Sequence, residues 1–389
     1  MAIVSGAVLA ALVFQRVAEG THIPAPVVFL VVSAAASDVF TPLRTALSPT
    51  DVSWIASAAL MVILFDGGVS LGWRRVRSVL GPVAVLAAGA TVAAAGVMAL
   101  AAHAVLALGW AASAAVGVAL APTDPAVVFS VIREGGLRER PMTILEAESG
   151  FNDPVAIALM VGVVAAVHDG SPWLSTVATT LTRELAVGLA VGFAGAWLAM
   201  RVLKHLTEPR ETLQPIVALS AAGLIFGTAT TLHGSGFLAV FVAGLVLGDA
   251  DTTVGHDVRA FHSELAALAE VVVFVSLGLT VHLAALGFDG VVDGLVLTAI
   301  LLVLARVPVA LALLAPLRVS PGERVFVAWA GLRGAVPILL ASLALIGGVA
   351  DARRIYGLVF VVVATSVLVQ GMTMPRIVAR LRVGQNSVR

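Results

Sequence analysis

Four acidic residues of this chain lie inside apolar sequence, where charge is hardest to accommodate. Asp124 interrupts one apolar segment within the run Ala121-Pro122-Thr123-Asp124-Pro125, and Glu146, Glu148 and Asp153 lie within the next segment. A charged side chain at bilayer depth is costly and is retained mainly where it lines a pathway or meets a partner. This pattern therefore predicts an ion site.

The spacing of these acids divides them between two faces of a helix. With 3.6 residues per turn, Glu146, Ser149 and Asp153 share one face, whereas Glu148 and Asn152 share a neighbouring face. The acids on the two faces can therefore have different roles.

A hard monovalent cation prefers several oxygen ligands, and this part of the chain offers them. The candidates are the carboxylates of Asp153 and Asp124, the Ser149 hydroxyl, and the side chain or carbonyl of Thr123. Pro125 also leaves one upstream carbonyl without its helical donor. A proton and a cation would compete for the same carboxylate, which is the basis of coupled exchange.

Composition indicates the environment of this site. The 389 residues are 60% hydrophobic and 12% charged, about half the charged share of a soluble chain, so a polytopic membrane protein is predicted. The formal net charge of zero gives no sign of a nucleic-acid partner, and membrane lipid is the expected surroundings. The chain has no cysteine, which excludes thiolate metal sites and cysteine nucleophiles. We expect no cofactor.

Continuous apolar segments predict an all-α transmembrane fold of about 13 helices, because a bilayer needs about 20 apolar residues per helix and barrel strands would alternate. The segments are 2–15, 24–38, 52–72, 80–108, 111–132, 142–167, 174–202, 212–231, 236–249, 262–283, 290–316, 323–347 and 353–375. The Gly-rich stretch 234–248 predicts close packing of helices.

The odd helix count and two interrupted helices suggest two inverted-topology repeats in a single transmembrane domain, 1–389. The first repeat is about 1–168, a linking helix about 172–203, and the second repeat about 211–381. The breaks at 123–125 and 331–337 are expected to cross near the middle of the membrane.

The distribution of basic residues predicts the orientation, since they accumulate in cytoplasmic loops. With the N-terminus outside and the C-terminus in the cytoplasm, 17 of the 23 Lys and Arg residues lie on the inner side and three on the outer side. We expect a multi-pass protein of the cell membrane.

Four motifs then carry a resemblance to a known family. In chain order they are Thr123-Asp124-Pro125, Glu148-Ser149-Gly150-Phe151-Asn152-Asp153-Pro154, Gly234-Ser235-Gly236-Phe237-Leu238-Ala239-Val240-Phe241-Val242-Ala243-Gly244 and Gly331-Leu332-Arg333-Gly334-Ala335-Val336. The series resembles the monovalent cation/proton antiporter family, in the branch with an Asn-Asp pair, over nearly the whole chain. The resemblance implies a core domain and a dimerisation domain in a homodimer that exchanges a cation for protons.

The resemblance also implies roles for single residues. Asp153 would be the carboxylate shared by cation and proton, Asp124, Thr123 and Ser149 would help to hold the ion, Glu148 would pair with Arg333, and Asn152 would stabilise the crossing. Asp66, where many relatives have Glu, resembles the potassium/proton branch, although we place sodium ahead of potassium.

Several alternatives stay open from the sequence. Glu148 and Arg333 can be a purely structural pair, Asp66 a capping or vestibule acid, and Glu146 an acid of the cytoplasmic mouth. Glu184, Glu264 and Glu270 are expected at interfaces or in helix packing. Two membrane aspartates would also suit an intramembrane aspartyl protease, and the same scaffold could serve as a channel or a non-transporting sensor.

Overall fold

The computed structural model describes residues 23–45, 47–124, 139–169, 173–206, 213–249 and 256–381, together with Gly6, Leu9 and Val13. Most of the predicted segment 2–15, and Pro125 with residues 126–138 after it, lie outside the described residues.

The described residues form helices joined by short turns. In chain order the helices are α1 (Ala25–Val39), α2 (Pro49–Leu71), α3 (Leu80–Leu106), α4 (Trp110–Ala119), α5 (Glu139–Asp169), α6 (Trp173–Leu206), α7 (Gln214–Thr231), α8 (Gly236–Gly248), α9 (His256–Leu279), α10 (Leu283–Ile300, continued by Leu301–Arg306 and Val307–Leu314), α11 (Pro321–Trp329), α12 (Ala335–Ile346) and α13 (Ala352–Leu381). Short helices at Thr41–Arg44 and Trp73–Arg77 follow α1 and α2.

Eight helices of the described residues are long and apolar enough to cross a membrane, and four shorter apolar helices accompany them. The predicted all-α membrane fold is confirmed. The total of about 13 helices, the two repeats and the division into core and dimerisation domains stay predictions.

Local sequence accounts for where helices begin. Ser48 precedes α2 and Ser320 precedes α11, and in each case the serine hydroxyl accepts from the backbone N–H three residues later while that residue's carboxylate accepts from the serine N–H. Each serine is followed by a proline, Pro49 or Pro321, at a position where a helix needs no N–H donor.

Two helices contain a π-helical segment in place of regular α-helix. Val85–Ala90 lies in α3, and Leu301–Arg306 lies in α10. Such segments often occur at functional positions because they reorient the side chains beside them. The second segment ends at Arg306, a fully enclosed side chain.

The two predicted helix breaks meet in space. The chain leaves helical geometry between the end of α4 and Asp124, and again between α11 and α12. The backbone N–H of Asp124 donates to the carbonyl of Leu332 over 2.8 Å, and Arg333 Nε donates to the carbonyl of Leu120 over 2.8 Å. Backbone groups freed by one break are thus satisfied by the other.

Close helix packing in the stretch 234–248 is confirmed. A Cβ placed on Gly244 of α8 would lie 2.5 Å from the carbonyl oxygen of Phe65, and one placed on Gly68 of α2 would lie 2.5 Å from that of Phe241. Glycine at both positions therefore lets α2 and α8 approach closely enough to form one wall of the site described below.

Candidate functional site

A cavity of about 730 Å³ lies between α1, α2, α5 and α9 and reaches the crossing of the two breaks. Five of the predicted site residues line it: Asp66, Asp124, Glu146, Ser149 and Asp153. Glu270 of α9 lines it too, although the sequence pointed to an interfacial or packing role. The cavity therefore gathers acids from three helices and from one break.

Asp153 has the geometry of a binding carboxylate. Its side chain is only 4% exposed, and among the described residues its Oδ1 has no hydrogen-bond partner. Ser149 lies one turn earlier on the same face of α5 and is 5% exposed. A buried carboxylate oxygen without a protein donor needs a proton or a cation to compensate it.

Pro154 removes a backbone donor directly after Asp153. As an imide inside α5, Pro154 cannot donate to the carbonyl of Gly150 one turn earlier. Gly150 itself lines the cavity. The Gly150 carbonyl therefore lacks its usual helical donor at the wall of the cavity.

Asn152 connects α5 to the crossing. Its Nδ2 donates to Oγ1 of Thr123 over 2.9 Å, and both side chains are buried. The hydrogen bond holds the Thr123 side chain at the crossing. The carboxylate of the adjacent residue, Asp124, interacts electrostatically with that of Asp153. Asn152 therefore stands where it can stabilise the crossing, and its effect on transport stays a prediction.

The predicted pair of Glu148 with Arg333 is wrong. Arg306 Nη1 donates to Glu148 Oε1 over 2.5 Å and Nη2 donates to Oε2 over 3.0 Å, and both side chains are almost completely buried. Arg333 instead donates through Nε to Leu120 and through Nη1 to the Gly331 carbonyl, over 2.5 Å. The reason is that Arg333 compensates carbonyls freed at the breaks, whereas Arg306, at the end of the π-helical segment, reaches Glu148.

Arg306 is thus a site residue that sequence reasoning missed. Three arginines lie inside predicted membrane spans, namely Arg183, Arg306 and Arg333. Their number is the only indication in the sequence that a second arginine is buried at the site. The structure adds that a Cβ on Gly331 would collide with the Arg306 guanidinium. A glycine at the second break therefore makes room for the ion pair.

Gly334 approaches Asp124 in a similar way. A Cβ at Gly334 would collide with Asp124 Oδ2. The carboxylate of the first break consequently packs directly on the backbone of the second, and glycine is the residue that permits this contact.

Glu146 and Asp66 lie together at another part of the cavity. Glu146 interacts electrostatically with Arg75 and with Asp66. One carboxylate oxygen of Asp66 is buried without a partner among the described residues. Arg75 belongs to a segment predicted to be cytoplasmic, which is consistent with a mouth position for Glu146.

No three His, Asp or Glu side chains of the described residues lie close enough together to ligate one metal ion. The oxygens nearest to hand for a cation at Asp153 belong to Asp124 and Ser149, which line the same cavity. Oxygen ligands of this kind suit a hard cation.

Comparison with known proteins places this geometry in context. Residues 3–380 match the model of a family described as sodium/hydrogen exchanger, transmembrane. The K(+)/H(+) antiporter NhaP of Alkalimonas amylolytica is 32% identical over 366 residues, which cover 94% of this chain and 63% of that protein. The K(+)/H(+) antiporter NhaP2 of Shewanella sp. (strain ANA-3) is 32% identical over 82% of this chain and 56% of its own length.

A relative named for a different ion is the Na(+)/H(+) antiporter ApNhaP of Aphanothece halophytica, 29% identical over 82% of this chain and 63% of that protein. The chain thus spans about three fifths of the length of these relatives. The solved structure of the sodium proton antiporter MjNhaP1 from Methanocaldococcus jannaschii matches 98% of both chains with a TM-score of 0.82 at 21% identity. This likeness shows a shared fold.

Proposed function

Since this chain belongs to the sodium/hydrogen exchanger family, we propose that it is a secondary active antiporter that exchanges a monovalent cation for protons across the cell membrane. The observation that carries the proposal is the Asp153 carboxylate, which is buried, has an oxygen without a partner among the described residues, and faces an acidic cavity.

The reaction is a competition for Asp153. A proton or a cation can neutralise the carboxylate, but the two exclude each other. If the site crosses between the two sides only when it is occupied, each cation that moves one way is matched by proton movement the other way. Alternating access of this kind needs no chemical bond to be made or broken.

The fixed charges around the crossing support the requirement that the site crosses the membrane only when it is occupied. Glu148 and Arg306 neutralise each other. The remaining charges at the crossing are Asp124, Asp153 and Arg333, which sum to minus one when the site is empty and to zero with one proton or one monovalent cation. Moving a net charge through a low-dielectric region is costly, so the empty site is the form least able to cross.

The cavity favours cations over anions. Asp66, Asp124, Glu146, Asp153 and Glu270 line it, and no Lys, Arg or His is among the described residues that do so. An acidic cleft with low-dielectric walls raises the local concentration of cations.

We place potassium ahead of sodium as the transported ion, which reverses the order expected from sequence. The two K(+)/H(+) antiporters described above are 32% identical to this chain, whereas the Na(+)/H(+) antiporter described above is 29% identical. The homodimer, the N-terminus outside and the cytoplasmic C-terminus remain part of the proposal, and they rest on the family resemblance and on the distribution of basic residues.

The test is proton flux in proteoliposomes of the purified protein with an imposed pH gradient, to which potassium, sodium or lithium is added. We expect a cation to dissipate the gradient with the wild type and not with Asp153→Asn. The control is Asp289→Asn, which alters an exposed acid of α10 away from the cavity and should leave exchange unchanged. Full exchange by Asp153→Asn would disprove the assignment of this residue.

The same assay distinguishes the antiporter from the alternative functions. A channel would pass cations without moving protons, and a sensor or an intramembrane aspartyl protease would give no cation-dependent proton flux in the wild type. Family membership and the shared fold favour the antiporter.

A further inference from the structure

Glu270 is an acid of α9 that the proposed antiport mechanism does not yet use. It lines the same cavity as Asp153 but comes from a different wall, since α9 packs on α1 and α2 while Asp153 belongs to α5. We propose that Glu270 is a second cation-binding residue, which receives the incoming monovalent cation in the cavity and passes it to Asp124 and Asp153.

The first support is the direction in which Glu270 faces. Ser263, Ala267, Glu270 and Phe274 of α9 all line the cavity, and they follow one another at intervals of four, three and four residues. This spacing places them on a single face of the helix. Glu264 is on the same helix but is exposed and does not line the cavity. The two glutamates of α9 thus lie in different environments.

The second support is the position of Glu270 relative to the binding carboxylates. Its carboxylate interacts electrostatically with that of Asp124. Two acids that line one cavity from different walls repel while the cavity is empty, and a cation near both relieves that repulsion. The pair therefore favours a cavity that holds a cation.

The third support comes from Asp153 on α5 and does not depend on the acids of α9. Asp153, which lines the same cavity, is 96% buried and has an oxygen without a partner among the described residues. The cavity thus contains a group that itself needs a ligand. Glu270 and Asp124 line the same cavity, so a cation in that cavity lies near all three carboxylates.

The inference rests on the proposed function, and the experiment separates the two. Potassium and sodium uptake coupled to proton release is measured in proteoliposomes for the wild type, Glu270→Gln and Glu264→Gln. We expect Glu270→Gln to raise the apparent KM for the cation by about tenfold, with a maximal rate close to that of the wild type. Glu264→Gln should match the wild type in both.

The outcomes have distinct meanings. An unchanged KM in Glu270→Gln would overturn the role of Glu270 while leaving the antiporter intact. Absence of cation-coupled flux in the wild type would instead reject the proposed function. An equal fall in maximal rate and in thermal stability, without a change in KM, would show that Glu270 is only structural.

A second variant tests charge directly and does not depend on how Glu270→Gln folds. The chain has no cysteine, so Glu270→Cys can be modified alone, in the folded protein, by a negatively or a positively charged methanethiosulfonate. The negative adduct should restore the low KM, and the positive adduct should raise it further. Equal KM values for the two adducts would contradict the proposal.

Discussion

Glu148 and Arg306 form a two-pronged ion pair that joins α5 to the π-helical segment of α10, with less than one twentieth of either side chain exposed. A third bond, from Arg306 Nη2 to the Val327 carbonyl over 3.1 Å, ties the same guanidinium to α11. One buried cation therefore fixes three helices next to the crossing, at a distance in sequence of 158 residues from its partner acid.

Replacing Arg306 should destabilise the fold more than removing a contact at the surface. Arg306→Ala leaves Glu148 buried and uncompensated, and the loss of one partner of such a pair costs about 3–5 kcal/mol. The measurement is the thermal unfolding midpoint of the detergent-purified protein, followed by tryptophan fluorescence.

The matched control for Arg306 is Arg354→Ala. Arg354 also pairs with an acid, Asp293, over 2.9 Å, but its side chain is 45% exposed. An exposed pair is worth about 0–1 kcal/mol, so the midpoint should barely move. Similar midpoints for the two variants would show that burial of the Glu148 pair does not matter for stability.

We expect the stability of the protein to depend on the hydroxyl of Thr123 more than on the shape of that side chain. Thr123→Val keeps the volume but leaves the Asn152 amide without its acceptor, at a cost of about 1–3 kcal/mol for a buried polar group. Thr123→Ser retains the hydroxyl. We expect a lower unfolding midpoint and weaker cation-dependent stabilisation for the valine variant alone, both measurable by thermal shift with added potassium. Equal losses in both variants would indicate that the methyl group, not the hydroxyl, is needed.

Gly334 should tolerate no side chain. In Gly334→Ala the new Cβ would displace the Asp124 carboxylate, so we expect at least about a tenfold loss of transport. Gly96→Ala of α3 is the control, because a Cβ there meets nothing within 4 Å. Cation-coupled proton flux by both variants, normalised to protein in the vesicles, checks the prediction, and wild-type flux by Gly334→Ala would disprove the close contact.

The sequence predicts correctly those features of the fold and the site that depend on residues close together in the chain. Apolar length predicts the helices, and Pro and Gly beside Asp124 and Arg333 predict that both breaks exist. The spacing along α5 correctly separates Asp153 from Glu148. These features depend on residues within a few turns of one another, which a sequence displays directly.

The features that sequence did not reveal depend on distant partners. Arg306 is one of three arginines within predicted spans, and its partner Glu148 lies 158 residues away in sequence. Glu270 looked like a packing residue, because a single acid on a helix does not show which face meets a cavity. Because the partner is distant in sequence, the sequence also suggests the wrong partner for Arg333, namely Glu148, whereas Arg333 bonds to the carbonyls of the breaks.

The orientation can be tested because the chain has no cysteine of its own. Single cysteines in place of Arg77, after α2, and Arg353, at the start of α13, lie at exposed positions. The distribution of basic residues puts Arg77 inside and Arg353 outside. In intact cells an impermeant maleimide should label Arg353→Cys and not Arg77→Cys. The reverse pattern would invert the predicted topology.

Competition at Asp153 gives a pH dependence of defined sign. If proton and cation exclude each other at one carboxylate, acidification raises the apparent KM for the cation, by up to about tenfold per pH unit once the protonated form dominates, because tenfold more protons compete. The rate at saturating cation should change less. Initial rates of potassium-driven proton release, measured over a range of pH on the side where the cation enters, provide both values. Because Asp289 lies outside the cavity, Asp289→Asn should give the wild-type profile. An apparent KM independent of pH would mean that cation and proton bind at separate groups, and the single-carboxylate mechanism would then be wrong.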